Sequence, residues 1–261
     1  MNSWHYRTAL DLGLTAANRH QSLSRECGLP DSLVRLAWAS AIRALLATWN
    51  SFEFQGREHL PKHGPFVLVA NHTSHLDALA LAAALPLRWL DRVHPIVAGD
   101  YFFQKRSLAA FAANALNALP IWRQQKSGCA RSLLGLRARL LAEEAVYIVF
   151  PEGARSRDGI MRPFKPGLGL LVAGTDVPVL PCYLSGAFAA MPPHRAFPRH
   201  SVVGLEIGKP MTFESIPHER EGWNRIAAMT ETAVRQLARN APTDARLHPP
   251  TPSHLSLSVG C

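Results

Sequence analysis

The chain is poor in cysteine, with only four among its 261 residues. Cys27, Cys129, Cys182 and Cys261 are scattered and form neither a CxxC pair nor a spacing typical of metal sites. The sequence therefore predicts neither a disulfide framework nor a structural zinc site, and it favours a reducing compartment.

Long apolar segments are also missing. No run reaches the ~18 consecutive apolar residues expected of a membrane-spanning helix. The first twenty residues lack an unbroken apolar stretch and an A-x-A cleavage site, so we expect no secretory signal peptide and a cytoplasmic location. Hydrophobic residues make up 48% of the chain and charged residues 18%, which predicts a folded domain of ordinary size with an appendage at each end.

Acidic residues are outnumbered by basic ones. The chain has 28 Lys and Arg against 19 Asp and Glu, a formal net charge of +9. This charge favours a polyanionic partner, either a nucleic acid or the anionic surface of a membrane. No nucleic-acid-binding signature with an aromatic platform is present, so we expect no nucleic acid partner. Motifs of the GxxxxGK[ST], GxGxxG and GxSxG types are absent as well, which removes support for nucleotide-dependent and serine-hydrolase chemistry.

Residues 31–50 have the spacing of an amphipathic helix. Leucine and alanine recur every three or four residues, while Arg35 and Arg43 fall on other faces. Trp38 and Trp49 would suit a helix that lies in a membrane interface. A helix that packs on its own domain has the same pattern, so both interpretations stay open.

From residue 60 onward, short apolar runs alternate with helical stretches. The predicted strands are 66–70, 94–98, 146–150, 177–183 and 202–207, and the predicted helices are 78–86, 106–118, 127–144 and 222–239. This alternation predicts a single α/β domain with a mostly parallel or mixed sheet flanked by helices. We divide the chain into an N-terminal helical, membrane-interface segment (1–50), the α/β domain (51–240) and a disordered tail (241–261).

Two polar motifs directly follow two of the predicted strands. Residues 71–77, NHTSHLD, come after FVLVA, and residues 151–156, PEGARS, come after VYIVF. Open α/β sheets bind their ligands beyond the carboxyl ends of the strands. We therefore expect the two motifs to meet in space.

His72 and Asp77 in the first motif suit general-base chemistry. On one continuous helix, side chains five residues apart point about 140° away from each other, so His72 must lie in the turn before the helix. With an N-cap at Thr73 or Ser74, His72 could donate one ring N–H to Asp77 and keep its other nitrogen free to accept a proton.

Two other interpretations of this motif remain. Residues 74–77, SHLD, have the form of a capping box, in which Asp77 accepts only a backbone N–H. His72, His75 and Asp77 are possible metal ligands, but no HExxH motif or further ligand cluster completes a site, so we expect no metal.

Together the two motifs resemble those of the glycerolipid acyltransferase family, which includes the 1-acylglycerol-3-phosphate acyltransferases. NHTSHLDA matches the H-x4-D motif and VFPEGARSRDG matches the F-P-E-G-x-R-S motif, about eighty residues apart as in that family. Residues 118–123, ALPIWR, and 177–181, VPVLP, resemble two further family blocks. The similarity covers about residues 50–212 in the family's order.

The resemblance implies an O-acyltransferase of phospholipid biosynthesis or remodelling. Such an enzyme moves a fatty acyl group from an acyl-coenzyme A or acyl-carrier-protein thioester to the hydroxyl of a lysophospholipid, and it needs no other cofactor. His72 would be the general base and Asp77 its orienting partner. The substrate-binding residues that the resemblance implies are Glu152, Gly153, Arg155 and Arg123.

The expected partners are the lysophospholipid acceptor, the thioester donor and an anionic membrane surface. The protein would lie on the cytoplasmic face of the membrane, peripheral or monotopic. The alternative is a non-catalytic lipid-binding protein that retains the fold.

Two positions depart from the family's pattern. Ala154 stands where the family usually has threonine. Residues 98–103, AGDYFF, stand where members that act on lysophosphatidic acid tend to carry a lysine-containing K-x-E-L block. The missing lysine leaves a different lysolipid head group open.

Overall fold

A seven-stranded sheet forms the centre of the molecule. The computed structural model describes residues 9–123, 126–195 and 197–240, so the tail predicted at 241–261 lies outside the described residues. The strands are β1 (Phe52–Gln55), β2 (Phe66–Ala70), β3 (Val93–Ala98), β4 (Leu119–Ile121), β5 (Val146–Val149), β6 (Val179–Ser185) and β7 (Val203–Ile207). Their order across the sheet is β1-β7-β6-β2-β5-β3-β4.

Parallel pairing dominates this sheet. Only β6 and β7 pair in antiparallel fashion among the described strands, and the five strands from β6 to β4 all run the same way. The prediction of a mostly parallel or mixed sheet is thus confirmed. Because β6, β2, β5, β3 and β4 share a direction, the residues that follow them meet at one edge of the sheet.

Helices cover both faces of the sheet. They are α1 (Ala16–Gln21), α2 (Leu29–Thr48), α3 (Asp77–Ala84), α4 (Gly99–Phe102), α5 (Arg106–Asn114), α6 (Lys126–Ala142), α7 (Gly167–Val172), α8 (Ala187–Ala190) and α9 (Arg220–Asn240). Every residue of β2 is buried, and its side chains alternate between two cores because successive residues of a strand face opposite sides. Phe66 and Leu68 pack with residues of α2 and α3, while Val67 and Val69 pack with residues of α6, α7 and α9.

The predicted helix 106–118 is too long at its end. Helix α5 stops at Asn114, and Asn117 adopts a positive φ of 53°, which a helix cannot contain. The chain then enters β4, whose three residues pair with β3 in the register Ile96↔Leu119 and Ala98↔Ile121. Strands β1 and β4 were not predicted because three- and four-residue strands carry too little periodicity.

Helix α2 packs on the domain by one face. It contacts α3 and α5 and buries Ile42 and Leu46. Arg35 on the same face is 2% exposed and donates hydrogen bonds to Asp91 and to the carbonyl of Asn114. Among the described residues, no helix combines the length and the apolar character needed to cross a bilayer.

Candidate active site

The two polar motifs meet at the carboxyl edge of the sheet. His72 follows β2 and Glu152 follows the neighbouring β5. The backbone N–H of His72 donates to Glu152 Oε1 at 2.7 Å, and the carbonyl of His72 accepts the backbone N–H of Ser156 at 2.8 Å. The second motif therefore bonds to both the N–H and the carbonyl of His72. This confirms the prediction that the two motifs meet, which was made from their positions after two strands.

His72 and Asp77 form the expected pair. The Nδ1 atom of His72 lies 2.9 Å from Oδ2 of Asp77, whose side chain is fully buried, whereas the imidazole is 21% exposed. Because a carboxylate only accepts hydrogen bonds, the neutral form of this imidazole carries its hydrogen on Nδ1 and has the lone pair on Nε2. The imidazole stacks on Phe150, with ring centroids 4.1 Å apart and an angle of 16° between the ring planes.

The capping box forms only in part, because Asp77 accepts the backbone N–H of Ser74 while the N-cap of α3 is Leu76, which has no side-chain cap hydrogen bond. Oδ2 of Asp77 accepts the backbone N–H groups of Thr73 at 2.6 Å and Ser74 at 2.7 Å, in addition to His72. Helix α3 begins at Asp77, so neither Thr73 nor Ser74 is its N-cap, and the residues before it form a turn. One carboxylate therefore orders the turn and orients the imidazole at the same time.

Glu152 is buried, and both of its carboxylate oxygens face backbone N–H groups. Oε1 accepts from His72, and Oε2 accepts from Arg162 at 2.9 Å. Burial raises the pKa of Glu152 to about 7, against the lowering effect of these two hydrogen bonds. These two hydrogen bonds hold the backbone of His72 and the backbone at Arg162 against the Glu152 carboxylate.

This raised pKa predicts a pH-dependent stability. The unfolded chain loses the Glu152 proton near pH 4.5 and the folded chain near pH 7, so the folded state binds more protons between these values. The free energy of unfolding should fall as the pH rises through this window, by up to about 1.4 kcal/mol per pH unit. Glu152→Gln removes the effect. We expect denaturant unfolding from pH 4.5 to 8 to give a flatter profile for Glu152→Gln, and parallel profiles would contradict the assignment.

Two supporting residues of the site were not identified from the sequence. Asn71 donates to the carbonyl of Leu184 at 2.9 Å and accepts the N–H of the same residue at 2.8 Å, which ties the end of β2 to β6. Phe150 supplies the ring on which His72 stacks. Both residues lie within the quoted motif sequences, directly before His72 and directly after β5, and these positions were the available signals.

Gly153 and Arg155 shape the loop beyond Glu152. Gly153 has a φ of 76°, which favours glycine, and a Cβ there would lie 3.2 Å from the Lys165 side chain. The Nη1 atom of Arg155 meets Nε2 of His75, and burial followed by the Arg155 charge lowers the pKa of His75. A neutral His75 can accept this hydrogen bond, so it holds the guanidinium beside the first motif.

Arg123 reaches the same loop from β4. Its Nε and Nη2 atoms donate to the two carboxylate oxygens of Asp100 at 3.1 and 3.0 Å, and its Nη1 donates to the carbonyl of Gly153 at 2.9 Å. Asp100 is a further site residue that the sequence did not single out. The predicted residues His72, Asp77, Glu152, Gly153, Arg155 and Arg123 thus all lie along one rim of the sheet.

No metal site is formed by these side chains. Within the described ranges, no three His, Cys, Asp or Glu residues cluster so that they could hold a metal ion. The Nε2 atom of His75, a possible ligand, faces the cationic Arg155 instead.

Comparison with known proteins supplies the family. A family model described as "Acyltransferase" matches residues 51–185, just over half of the chain. The chain is 33% identical over 135 residues to 1-acyl-sn-glycerol-3-phosphate acyltransferase alpha from Mus musculus. This match covers 51% of this chain and 45% of the mouse protein. It is 25% identical over 191 residues to 1-acyl-sn-glycerol-3-phosphate acyltransferase beta from Homo sapiens. That match covers 71% of this chain and 63% of the human protein.

A solved structure has the same fold. The 1-acyl-sn-glycerophosphate (LPA) acyltransferase PlsC from Thermotoga maritima superposes with a TM-score of 0.59 at 24% identity, over 80% of this chain and 79% of that one. The match spans about half the length of the mouse, human and bovine enzymes named 1-acyl-sn-glycerol-3-phosphate acyltransferase alpha. The family match, which contains both motifs, shows that this chain belongs to the glycerolipid acyltransferase family.

Proposed function

We propose that this chain is an O-acyltransferase that moves a fatty acyl group from a thioester to the hydroxyl of a lysophospholipid, 1-acylglycerol-3-phosphate or a related lysolipid. The reaction would serve phospholipid biosynthesis or remodelling. The observation that carries the proposal is the partly exposed imidazole of His72, oriented by the buried Asp77 and fixed by Glu152 at the edge of the sheet.

His72 acts as the general base. Its Nε2 atom takes the proton of the acceptor hydroxyl while the hydroxyl oxygen attacks the thioester carbonyl carbon. The buried carboxylate of Asp77 stabilises the imidazolium that forms and keeps the ring in the required tautomer. Stacking on Phe150 fixes the plane of the ring, so the lone pair points in one direction.

A thioester donor suits this limited machinery. The departing thiolate has a conjugate acid with a pKa near ~8.5, so it leaves with little help from a proton donor. The acyl group passes directly from the donor to the acceptor oxygen, without an acyl-enzyme and without a cofactor. Coenzyme A and acyl carrier protein are both thioester donors of this kind.

The loop after β5 binds the acceptor. Arg155 offers guanidinium N–H groups to its phosphate, and His75 holds that guanidinium in place. Gly153 permits the sharp turn that brings the loop close to His72, and Arg123 fixes the carbonyl of this turn. Glu152 holds this loop against the backbone of His72 through its two hydrogen bonds.

A small apolar cleft beside α3 has room for only a small part of an acyl chain. It has a volume of about 60 Å³ and lies between α2 and α3, with Trp38, Ile42 and Leu79 among its lining residues. Ala78, the residue after Asp77, also lines it.

A membrane surface would deliver the lipid acceptor. Leu29, Leu33 and Leu36 recur at helical spacing on the solvent side of α2, with 83%, 67% and 42% of their surface exposed. Leu10 and Leu12 before α1 are similarly exposed. We place this apolar surface in the interface of an anionic bilayer, on its cytoplasmic face, as a peripheral or monotopic contact.

Leu33→Glu should weaken this contact. Full burial of a leucine stabilises binding by roughly 1.5–3 kcal/mol, so we expect at least a tenfold loss of affinity in sedimentation with anionic phospholipid vesicles. Leu134→Glu is the matched control, because Leu134 is 50% exposed on α6. Equal sedimentation of the two variants would contradict docking through α2.

The function is tested by free-thiol release in anionic vesicles. Acyl-coenzyme A and acyl carrier protein, with several chain lengths, are each combined with a panel of lysophospholipids. We expect release that requires a lysolipid and yields one diacyl product per thiol. Lack of release with every donor and acceptor would favour the non-catalytic lipid-binding alternative.

A further inference from the structure

The sheet register places an acidic residue beside the arginine of the site. Ala98 in β3 pairs with Ile121 in β4, and the two strands are parallel. Asp100 and Arg123 each stand two residues beyond this pair, so their side chains emerge next to each other at the carboxyl edge. The register of β3 and β4 therefore brings Asp100 and Arg123 together.

Asp100 occupies the Nε–Nη2 edge of the Arg123 guanidinium. Arginine uses two such parallel N–H groups to bind a carboxylate or a phosphate. The Nε and Nη2 atoms of Arg123 form a two-pronged contact with the Asp100 carboxylate at 3.1 and 3.0 Å. Nη1 donates to the carbonyl of Gly153. Arg123 thus has hydrogen bonds on both sides, and the guanidinium lowers the pKa of Asp100 and keeps it ionised.

The charge of the acceptor site follows from this pairing. Arg155 contacts the neutral ring of His75 and forms no ion pair with a carboxylate among the described residues. Arg162 pairs with Asp158, and Lys165 lies beside Gly153. Asp100 therefore lowers the positive charge of this rim by one. A phosphate monoester carries a charge near −2 at neutral pH, because its second pKa is about 6, whereas a phosphodiester carries −1.

We propose that Asp100 is a specificity-determining residue, which withdraws Arg123 from phosphate binding and selects lysophospholipids whose phosphate is a diester over those with a phosphate monoester. This inference rests on the proposed function. Asp100 acts through Arg123 and does not touch the reacting atoms.

The test compares two acceptors, lysophosphatidylglycerol and lysophosphatidic acid, with acyl-coenzyme A in mixed vesicles. For the unaltered protein we expect kcat/KM to be about tenfold higher with the diester. Asp100→Asn should raise kcat/KM for lysophosphatidic acid about tenfold and change the diester value by less than about threefold, since one freed charge of this kind is worth about one decade. Glu144→Gln is the control, because it removes the same charge from an exposed pair with Arg92 near the amino ends of the strands.

A double variant separates specificity from a merely structural role. The gain with lysophosphatidic acid should disappear in Asp100→Asn combined with Arg123→Gln, because the freed guanidinium is then missing. Equal or better use of lysophosphatidic acid by the unaltered protein, or an unchanged preference in Asp100→Asn, would overturn the inference while leaving the proposed function intact. Lack of His72-dependent release with either acceptor or any other lysolipid would overturn both.

Discussion

His72→Ala should lower kcat for acyl transfer by about 10³-fold, within the range of 10²–10⁴ typical of a positioned general base. The acceptor hydroxyl would then have to lose its proton to water. KM for the donor should change little, since the imidazole does not hold the acyl chain. Initial rates of thiol release with saturating lysolipid measure this effect.

The fold should survive this substitution. The hydrogen bonds of His72 to Glu152 and Ser156 use backbone atoms, which alanine retains. His63→Ala is the matched control, since His63 is exposed and precedes β2, whereas His72 follows it. We expect unaltered rates for the control. A His72→Ala protein that folds and keeps more than about a tenth of the activity would contradict the role of His72.

Asp77→Asn should reduce kcat by roughly 10²–10⁴-fold. The amide oxygen can take the place of Oδ2 and accept the same N–H groups, but the charge that stabilises the imidazolium is lost. The amide nitrogen then falls at the position of Oδ1, which is buried and has no hydrogen-bond partner among the described residues. An unpaired buried donor costs about 1–3 kcal/mol, so the free energy of unfolding should fall as well.

Two measurements separate the effects of Asp77→Asn. Denaturant unfolding gives the loss of stability, and the rate at saturating substrate, under conditions in which the protein is fully folded, gives the loss of catalysis. Activity that falls only in proportion to the folded fraction would mean that Asp77 serves the turn alone, through Thr73 and Ser74.

The sequence was sufficient to predict the centre of the site. The five-residue spacing of His72 and Asp77 required a turn before the helix, and the structure has that turn. The positions of both motifs after buried strands predicted their contact, because carboxyl ends of parallel strands share an edge. Periodicity also predicted the five strands from β2 to β7 other than β4, and each of their ends agrees to within two residues.

The contact between Asp100 and Arg123 could not be predicted, because it depends on how two strands pair and no local sequence pattern shows that. Strand β4 has three residues, and its register with β3 decides that Asp100 faces Arg123. The resemblance implied that Glu152 binds substrate, but it did not show that the two carboxylate oxygens accept the backbone N–H groups of His72 and Arg162. Such contacts arise from the tertiary structure, so periodicity and spacing do not reveal them.

The central claim is direct acyl transfer with His72 as the base. The most direct measurement is a mass balance of free thiol, diacyl lipid and acylated protein, made by mass spectrometry with and without lysolipid for the unaltered protein and His72→Ala. We expect one thiol per diacyl lipid, release only when lysolipid is present, no acylated protein, and turnover about 10³-fold slower in His72→Ala. Acylated protein that forms without lysolipid, or a His72→Ala protein that keeps more than about a tenth of the turnover, would contradict direct transfer with His72 as the base.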